Sequence, residues 1–158
     1  MKVSEIMTTH PLYCRRETDL GAAAELLWNG NCGFLPVVAD TGRVTGAVTD
    51  RDICIGLGTK NRLPGQVTVG EIAGDTLAAC APDDDIHQAL ATMAARKVHR
   101  LVVVGAKGEL AGVLSVDDVV AKGLKTRTAG EVSPEELTST LREIVSGQVR
   151  RAPAQKAA

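Results

Sequence analysis

Two short stretches carry the residues that could do chemistry. "GAVTDRD" covers 46–52 and "GVLSVDD" covers 112–118, and both obey G-x-x-[TS]-x-x-D. Taken alone, Thr49-x-x-Asp52 or Ser115-x-x-Asp118 is a helix capping box: the hydroxyl accepts from a backbone N–H and the carboxylate reaches back. Three features point further. Gly46 or Gly112 stands at the same distance before each box, where a missing side chain permits close approach. A helix N-terminus attracts an anion. A carboxylate beside it can accept two hydrogen bonds from a sugar diol. Together these suit a nucleotide, with its ribose on the aspartate and its phosphate near the helix end. The pattern is written twice, as a two-site molecule requires.

Sliding the chain by 66 residues superimposes the two stretches without a gap. Val3, Glu5 and Ile6 then fall on Val69, Glu71 and Ile72. Cys14 falls on Cys80, Asp19 on Asp85, Leu35, Val37 and Val38 on Leu101, Val103 and Val104, and Gly42 on Gly108. An internal repeat governs the fold. Leu20, Ala23, Ala24 and Leu27 follow the spacing of an amphipathic helix, and Ile86, Ala89, Leu90 and Met93 do the same. Thr18 and Asp84 stand at the expected N-caps. "FLPVVA" and "RLVVVG" read as buried strands, "DTG" and "AKG" as hairpin turns with glycine at φ > 0, and "RVTGAVT" and "ELAGVLS" as the returning strands. "DRDICIGLG" and "VDDVVAKGL" are second helices. "PLYC" and "LAAC", read as short strands before the first helices, complete two β-α-β-β-α units.

The predicted fold class is therefore α+β: two units packed sheet to sheet about a pseudo-twofold axis, because a unit of about 55 residues buries only a marginal core alone. The expected boundaries are 1–57, a Gly/Pro/polar linker at 58–66, 67–124, and a C-terminal extension over 125–158. The extension holds a helix at about 134–146, with Ser133 as N-cap, Pro134 at the first position, Glu136 closing a capping box and Gly147 as stop. A frayed tail follows.

Composition excludes several classes. The 158 residues are 44% hydrophobic and 23% charged, which is globular. A net charge of −1 gives nucleic acid or an acidic membrane no bulk attraction, and 2% aromatic residues leave little to stack bases on. There is no apolar stretch of signal-peptide or bilayer length, which predicts a cytoplasmic protein. The four cysteines lack C-x-x-C spacing and read as reduced thiols in or near the core. No nucleophile elbow, P-loop or H-E-x-x-H motif is present, so the chain reads as no enzyme, with no catalytic residue, no metal site and no required cofactor.

The span from Val3 to about Leu124 resembles a tandem pair of CBS domains, a Bateman module. The unit order and the G-x-x-[TS]-x-x-D endings match that family. "VHRLVVV" (98–104) is close to a stretch of the γ subunit of AMP-activated protein kinase, and "TDRDI" (49–53) is typical of small stand-alone bacterial CBS-pair proteins. The resemblance implies regulatory binding of adenosine ligands (AMP, ADP, ATP, S-adenosylmethionine, sometimes NAD) in two composite clefts. Carried over by position, cleft A combines Ala47, Thr49, Arg51 and Asp52 with Thr76, Ala78, Val98, His99 and Arg100. Cleft B combines Val113, Ser115, Asp117 and Asp118 with His10, Leu12, Cys32, Gly33 and Phe34. Leu35, Pro36, Leu101 and Val102 back the walls. Repeat 1 has Gly33-Phe34 in place of the His99-Arg100 pair, and Asp117 stands where repeat 1 has Arg51, which assigns the positive charge to cleft A alone. The family also implies a homodimer, with Trp28 a candidate contact, and an unidentified protein effector.

Two readings stay open: an adenosine-ligand sensor, or a structural CBS-pair scaffold or interaction protein with partly decayed sites. His87 reads as solvated on its helix, His10 as loop chemistry without a metal partner, "PDDD" (82–85) as a helix start, and Arg150 and Arg151 as solvated.

Overall fold

The computed structural model describes residues 1–74, 76–124 and 132–149. In repeat 1, helix α1 (Leu20–Asn29) is capped by Asp19, whose carboxylate accepts from the Ala22 N–H; in repeat 2, α3 (Ile86–Arg96) is capped by Asp85, which accepts from His87. Each cap lies one residue beyond the expected Thr18 and Asp84. The carboxylate there reaches the exposed N–H groups and opposes the positive helix end.

Strands β2 (Phe34–Val38) and β3 (Val44–Thr49) form a hairpin, as do β5 (Arg100–Val104) and β6 (Leu110–Ser115). Gly42 at φ 80° and Gly108 at φ 85° make the turns. Both hairpins carry a bulge at the same place, between Val37 and Val38 and between Val103 and Val104. Helix α2 (Asp50–Lys60) follows β3, so the first three residues of the segment read as linker are helical. After β6 the chain makes only α4 (Val116–Asp118) and a π turn over Val119–Gly123. Of the two short strands expected before the first helices, "LAAC" yields β4 (Ala79–Cys80), parallel to β5. "PLYC" yields a single bridge, Cys14 to Val37.

The N-terminal leader of each repeat crosses to the other. Strand β1 (Thr8–Thr9) adds antiparallel to β6, with Thr8 opposite Val113, and completes a four-stranded sheet in the order β1-β6-β5-β4. Its counterpart, Gly74, bridges Ala47 of β3. The ends of the leaders are tied the same way. The Val3 N–H donates to the Asp84 carbonyl at 2.9 Å, and Val69 donates to Thr18 at 2.8 Å. Each hydrophobic core is consequently mixed: Val3 and Ile6 pack among Ile86, Leu90, Met93, Leu101 and Leu114, while Val67 and Val69 pack among Leu20, Leu27, Leu35 and Val48.

The crossing explains the repeated glycine. A Cβ at Gly112 would meet the Thr8 carbonyl oxygen at 2.8 Å and Met7 Sδ at 2.9 Å; one at Gly46 would meet the Gly74 carbonyl oxygen at 3.2 Å. The close approach read from these glycines is made by the neighbouring leader's backbone.

Helix α5 (Pro134–Val149) runs past Gly147, the expected stop. Ser133 Oγ accepts from the Glu136 N–H at 3.1 Å, as the capping box requires. The Glu136 carboxylate turns instead to α3, where its oxygens lie 2.7 and 2.9 Å from His87 Nδ1. His87 is thus engaged in docking α5, contrary to the solvated reading. Lys97 donates to Glu143 Oε2 at 2.9 Å, and Leu137, Thr140 and Ile144 are buried beneath the helix. The segment 125–131 and the tail from 150, with Arg150 and Arg151, lie outside the described residues.

The cysteines divide evenly. Cys14 is buried and Cys80 half-buried; burial pushes their thiols up to about 11 and about 12, with Asp84 adding to the latter. Cys32 and Cys54 are exposed, against the core reading, because the loop after α1 and the outer face of α2 face solvent.

Two outcomes follow. Gly112→Ala should destabilise the fold by about 1–3 kcal/mol, the usual cost of overpacking, and more than Gly46→Ala, because its obstruction is tighter. Urea unfolding of the pair checks the order, and equal losses would contradict the crossing geometry. In native protein dilute enough to be monomeric, two thiols should react with an aromatic disulfide reagent. Mass mapping should find Cys32 and Cys54 labelled, and Cys14 and Cys80 labelled only after unfolding.

Candidate functional site

Both motif ends sit where a strand becomes a helix. Thr49 and Ser115 are extended N-caps; their hydroxyls accept from the N–H of Asp52 and of Asp118 at 3.1 Å each. Asp52 Oδ2 accepts from Thr49 N at 2.9 Å and from its hydroxyl at 2.7 Å. Asp118 Oδ2 accepts likewise from Ser115, at 3.0 and 2.6 Å. The capping box is therefore real in both repeats, and removing such a cap costs about 1 kcal/mol.

The second carboxylate oxygen separates the two sites. Asp118 Oδ1 accepts from the Thr8 hydroxyl and from Lys122 Nζ, both at 3.2 Å. Burial pushes the Asp118 carboxyl up, but the Ser115 hydroxyl and N–H, with Lys122, outweigh it and hold the group below its ordinary value. In repeat 1 the positions equivalent to Thr8 and Lys122 are Gly74 and Gly56. No described side chain takes Asp52 Oδ1, which is left as an open acceptor in a partly buried carboxylate.

Two clefts flank the crossing. One, of about 410 Å³, is lined by Ala47, Thr49, Arg51, Asp52, Thr76, Ala78, Val98, His99 and Arg100, which are all nine residues assigned to cleft A. Asp50, Gly74 and Leu77 also line it, as do Gly33 and Phe34. The other, of about 390 Å³, brings together His10, Leu12, Cys32, Phe34, Val113, Ser115, Asp117 and Asp118, with Thr8, Pro11, Gly30 and Asn31 beside them. Of the cleft B set, Gly33 alone lies elsewhere, on the cleft A side.

Arg100 corrects the charge assignment. It lines both clefts, and its Nη2 lies 3.7 Å from Asp117 Oδ2. Cleft B therefore has a cation after all. Position 100 is equivalent to Phe34, the other residue shared by both clefts, and each begins a central strand beside its own cap, with Phe34 opposite Thr49 and Arg100 opposite Ser115. Sequence reasoning missed the shared role because it gave each residue to one cleft. It missed Thr8 as a partner of Asp118 because it brought the leader to the opposite cleft only from His10 onward; the hydroxyl at 8 against glycine at 74 was the available signal. Among the described residues no group of three or more His, Cys, Asp or Glu side chains could hold a metal ion, and no helix is long and apolar enough to cross a membrane.

A composite pair of clefts between two swapped repeats can be compared with known proteins. The CBS domain family model matches residues 3–57 and again residues 69–125. The chain is 29% identical over 128 residues to the CBS domain-containing protein YhcV of Bacillus subtilis, covering 81% of this chain and 89% of that protein. It is 28% identical over 128 residues to homoserine O-acetyltransferase of Methanohalophilus mahii, covering 79% of this chain and 26% of the enzyme, so the likeness is confined to about a quarter of that enzyme. The structure of CBSX2 from Arabidopsis thaliana in complex with AMP is similar at a TM-score of 0.69 and 26% identity, over 78% of this chain and 96% of that one. Matched twice along its length, with the halves closing on each other, the chain belongs to the CBS domain family as a tandem pair.

Proposed function

We propose that the protein is a non-catalytic regulatory module that binds an adenosine-containing ligand in cleft A and relays its occupancy to a protein effector. The open Oδ1 of Asp52 carries the reading. It offers a ribose diol an acceptor that needs no partner displaced, while the other oxygen stays locked to Thr49. Arg51 and Arg100 line the same cleft and supply charge for a phosphate, with the His99 ring beside them as a hydrogen-bonding group. Ala47, Ala78 and Val98 give an adenine ring apolar contact. CBSX2, the AMP-bound relative, supports the same ligand class, which takes in AMP, ADP and ATP and extends to NAD or S-adenosylmethionine. For cleft B one observation favours the structural reading: Asp118 spends both oxygens on the protein itself.

Calorimetry with ADP and adenosine tests the ligand assignment. A hydrogen bond to a charged group is worth about 1.5–3 kcal/mol, or roughly ten- to a hundred-fold in affinity. Asp52→Ala should lose that much for both ligands, and Arg100→Ala should lose more for ADP than for adenosine. Asp118→Ala breaks the equivalent cap and controls for damage to the fold; it should leave the tight site within about twofold. A tight site that survives Asp52→Ala and vanishes with Asp118→Ala reverses the assignment.

The pair also reads as a homodimer formed through repeat 1. The groove between α1 and α2 is lined by Leu27, Trp28, Cys32, Ile53, Cys54 and Leu57, with Asp50 its one charge among the described residues. Trp28 is 85% exposed. A nearly uncharged face can meet its own copy without repulsion, whereas α5 covers the corresponding helix of repeat 2. Trp28 is the sole tryptophan. Its emission should shift to the blue as concentration rises through the dimer transition, and Trp28→Glu should scatter light as a monomer. Wild-type protein that stays monomeric, with unshifted emission, at tens of micromolar refutes the dimer.

A further inference from the structure

We infer that Arg100 serves the two clefts one at a time, so that an anionic ligand in cleft A sets the charge preference of cleft B toward neutral or cationic ligands. This rests on the reading of cleft A as a nucleotide site. Phe34 and Arg100 are the residues that line both clefts. Phe34 is neutral and cannot follow a charge. Arg100 is long and partly exposed, and among the described residues carries the only charge common to the two sites.

Its present engagement is weak. Arg100 Nη2 and Asp117 Oδ2 are 3.7 Å apart, beyond hydrogen-bond distance, and the Asp117 side chain is 85% exposed. Water and salt screen such a pair strongly. A phosphate in cleft A offers the guanidinium two parallel charge-assisted hydrogen bonds, a better partner than a distant, solvated carboxylate. When Arg100 turns to that phosphate, Asp117 is left without its cation. Cleft B then keeps Asp117 and Asp118, the latter offset by Lys122, and its local charge falls by one. An anion in cleft B would hold Arg100 there and weaken cleft A by the same factor, because coupling between sites is reciprocal. The substitution of Arg51 by Asp117 across the pseudo-twofold axis thus acts as the resting partner for the shared arginine.

Cys32 reports the charge of cleft B directly, since it lines that cleft and is exposed. In a Cys54→Ser background, which leaves Cys32 as the exposed thiol, and below the dimer transition because Cys32 also borders the groove between α1 and α2, its rates with a cationic and an anionic methanethiosulfonate are measured without and with saturating ADP. The ratio of cationic to anionic rate should rise about threefold on adding ADP, as expected for one charge withdrawn across a partly screened cleft. In Arg100→Gln, at an ADP concentration raised to saturate that variant, the ratio should not move. Asp117→Asn should tighten ADP binding in the presence of Arg100 and have no effect on it in Arg100→Gln. ADP binding with an unchanged ratio in the wild-type protein overturns the sharing and leaves the nucleotide site standing. A parallel fall of both rates puts ADP in cleft B and overturns the sharing. Failure of ADP to bind at all, seen by calorimetry, overturns the nucleotide reading and this inference with it.

Discussion

The carbonyl oxygen of Thr8 lies where a Cβ on residue 112 would be 2.8 Å away, and that of Gly74 lies 3.2 Å from the place of a Cβ on residue 46. Only bare backbone lets the leaders come that near. From this approach the rest follows. The leaders extend the partner hairpins, carry Val3, Ile6, Val67 and Val69 into cores that are not their own, and bring His10 and Thr76 beside the opposite caps. A cleft in this protein is the space left where a leader crosses a strand that ends in a helix. Each cleft is therefore built from both repeats.

Symmetry at the level of backbone coexists with asymmetry at the level of side chains. The hydrogen bonds that tie the leaders, the bulges and the capping boxes recur nearly atom for atom. The differences are concentrated at a few positions around the carboxylates: Thr8 against Gly74, Lys122 against Gly56, Asp117 against Arg51, Arg100 against Phe34. Each changes charge or hydrogen-bonding capacity, and the Gly56 position also packs bare against Ile72, where a Cβ would lie 2.9 Å from its Cγ2. The two glycines open Asp52, while the hydroxyl and the ammonium close Asp118. The helices diverge too: α5 sheathes α3 through Glu136, Glu143 and an apolar face, and α1 keeps its Trp28 in water.

Much of this was legible in the residues. The 66-residue period gave the two units, the hairpins, the glycine turns and both capping boxes, because these are local and strongly patterned. The family resemblance, and not the period, grouped the nine cleft A residues that line one cleft. What escaped was non-local. Gly112 looked like a site glycine because nothing nearby in sequence competes with a ligand for the space; the competitor is residue 8, more than a hundred positions away. His87 looked solvated because its partner, Glu136, belongs to a helix outside the repeat. Asp19 rather than Thr18 caps α1 because a choice between adjacent polar residues turns on backbone dihedrals, which composition does not encode. Arg100 was given to one cleft because position in a repeat says which strand a residue begins, and not how far its side chain reaches.

The leader exchange also bears on how the chain is assembled during synthesis. Repeat 1 is completed by residues that follow it, so its core can close as soon as Val69 and Gly74 have left the ribosome. Repeat 2 is completed by residues made long before it. Until repeat 2 emerges, Val3 and Ile6 have no core to enter and stay uncovered beside a finished half. Nascent chains fold their early units first and are most vulnerable while such surface is uncovered. The closing step is then a return of the oldest segment to the newest, a long-range contact of the kind that slows folding. A nascent-chain chaperone would meet the segment around Val3 and Ile6 for the time it takes to translate the second repeat.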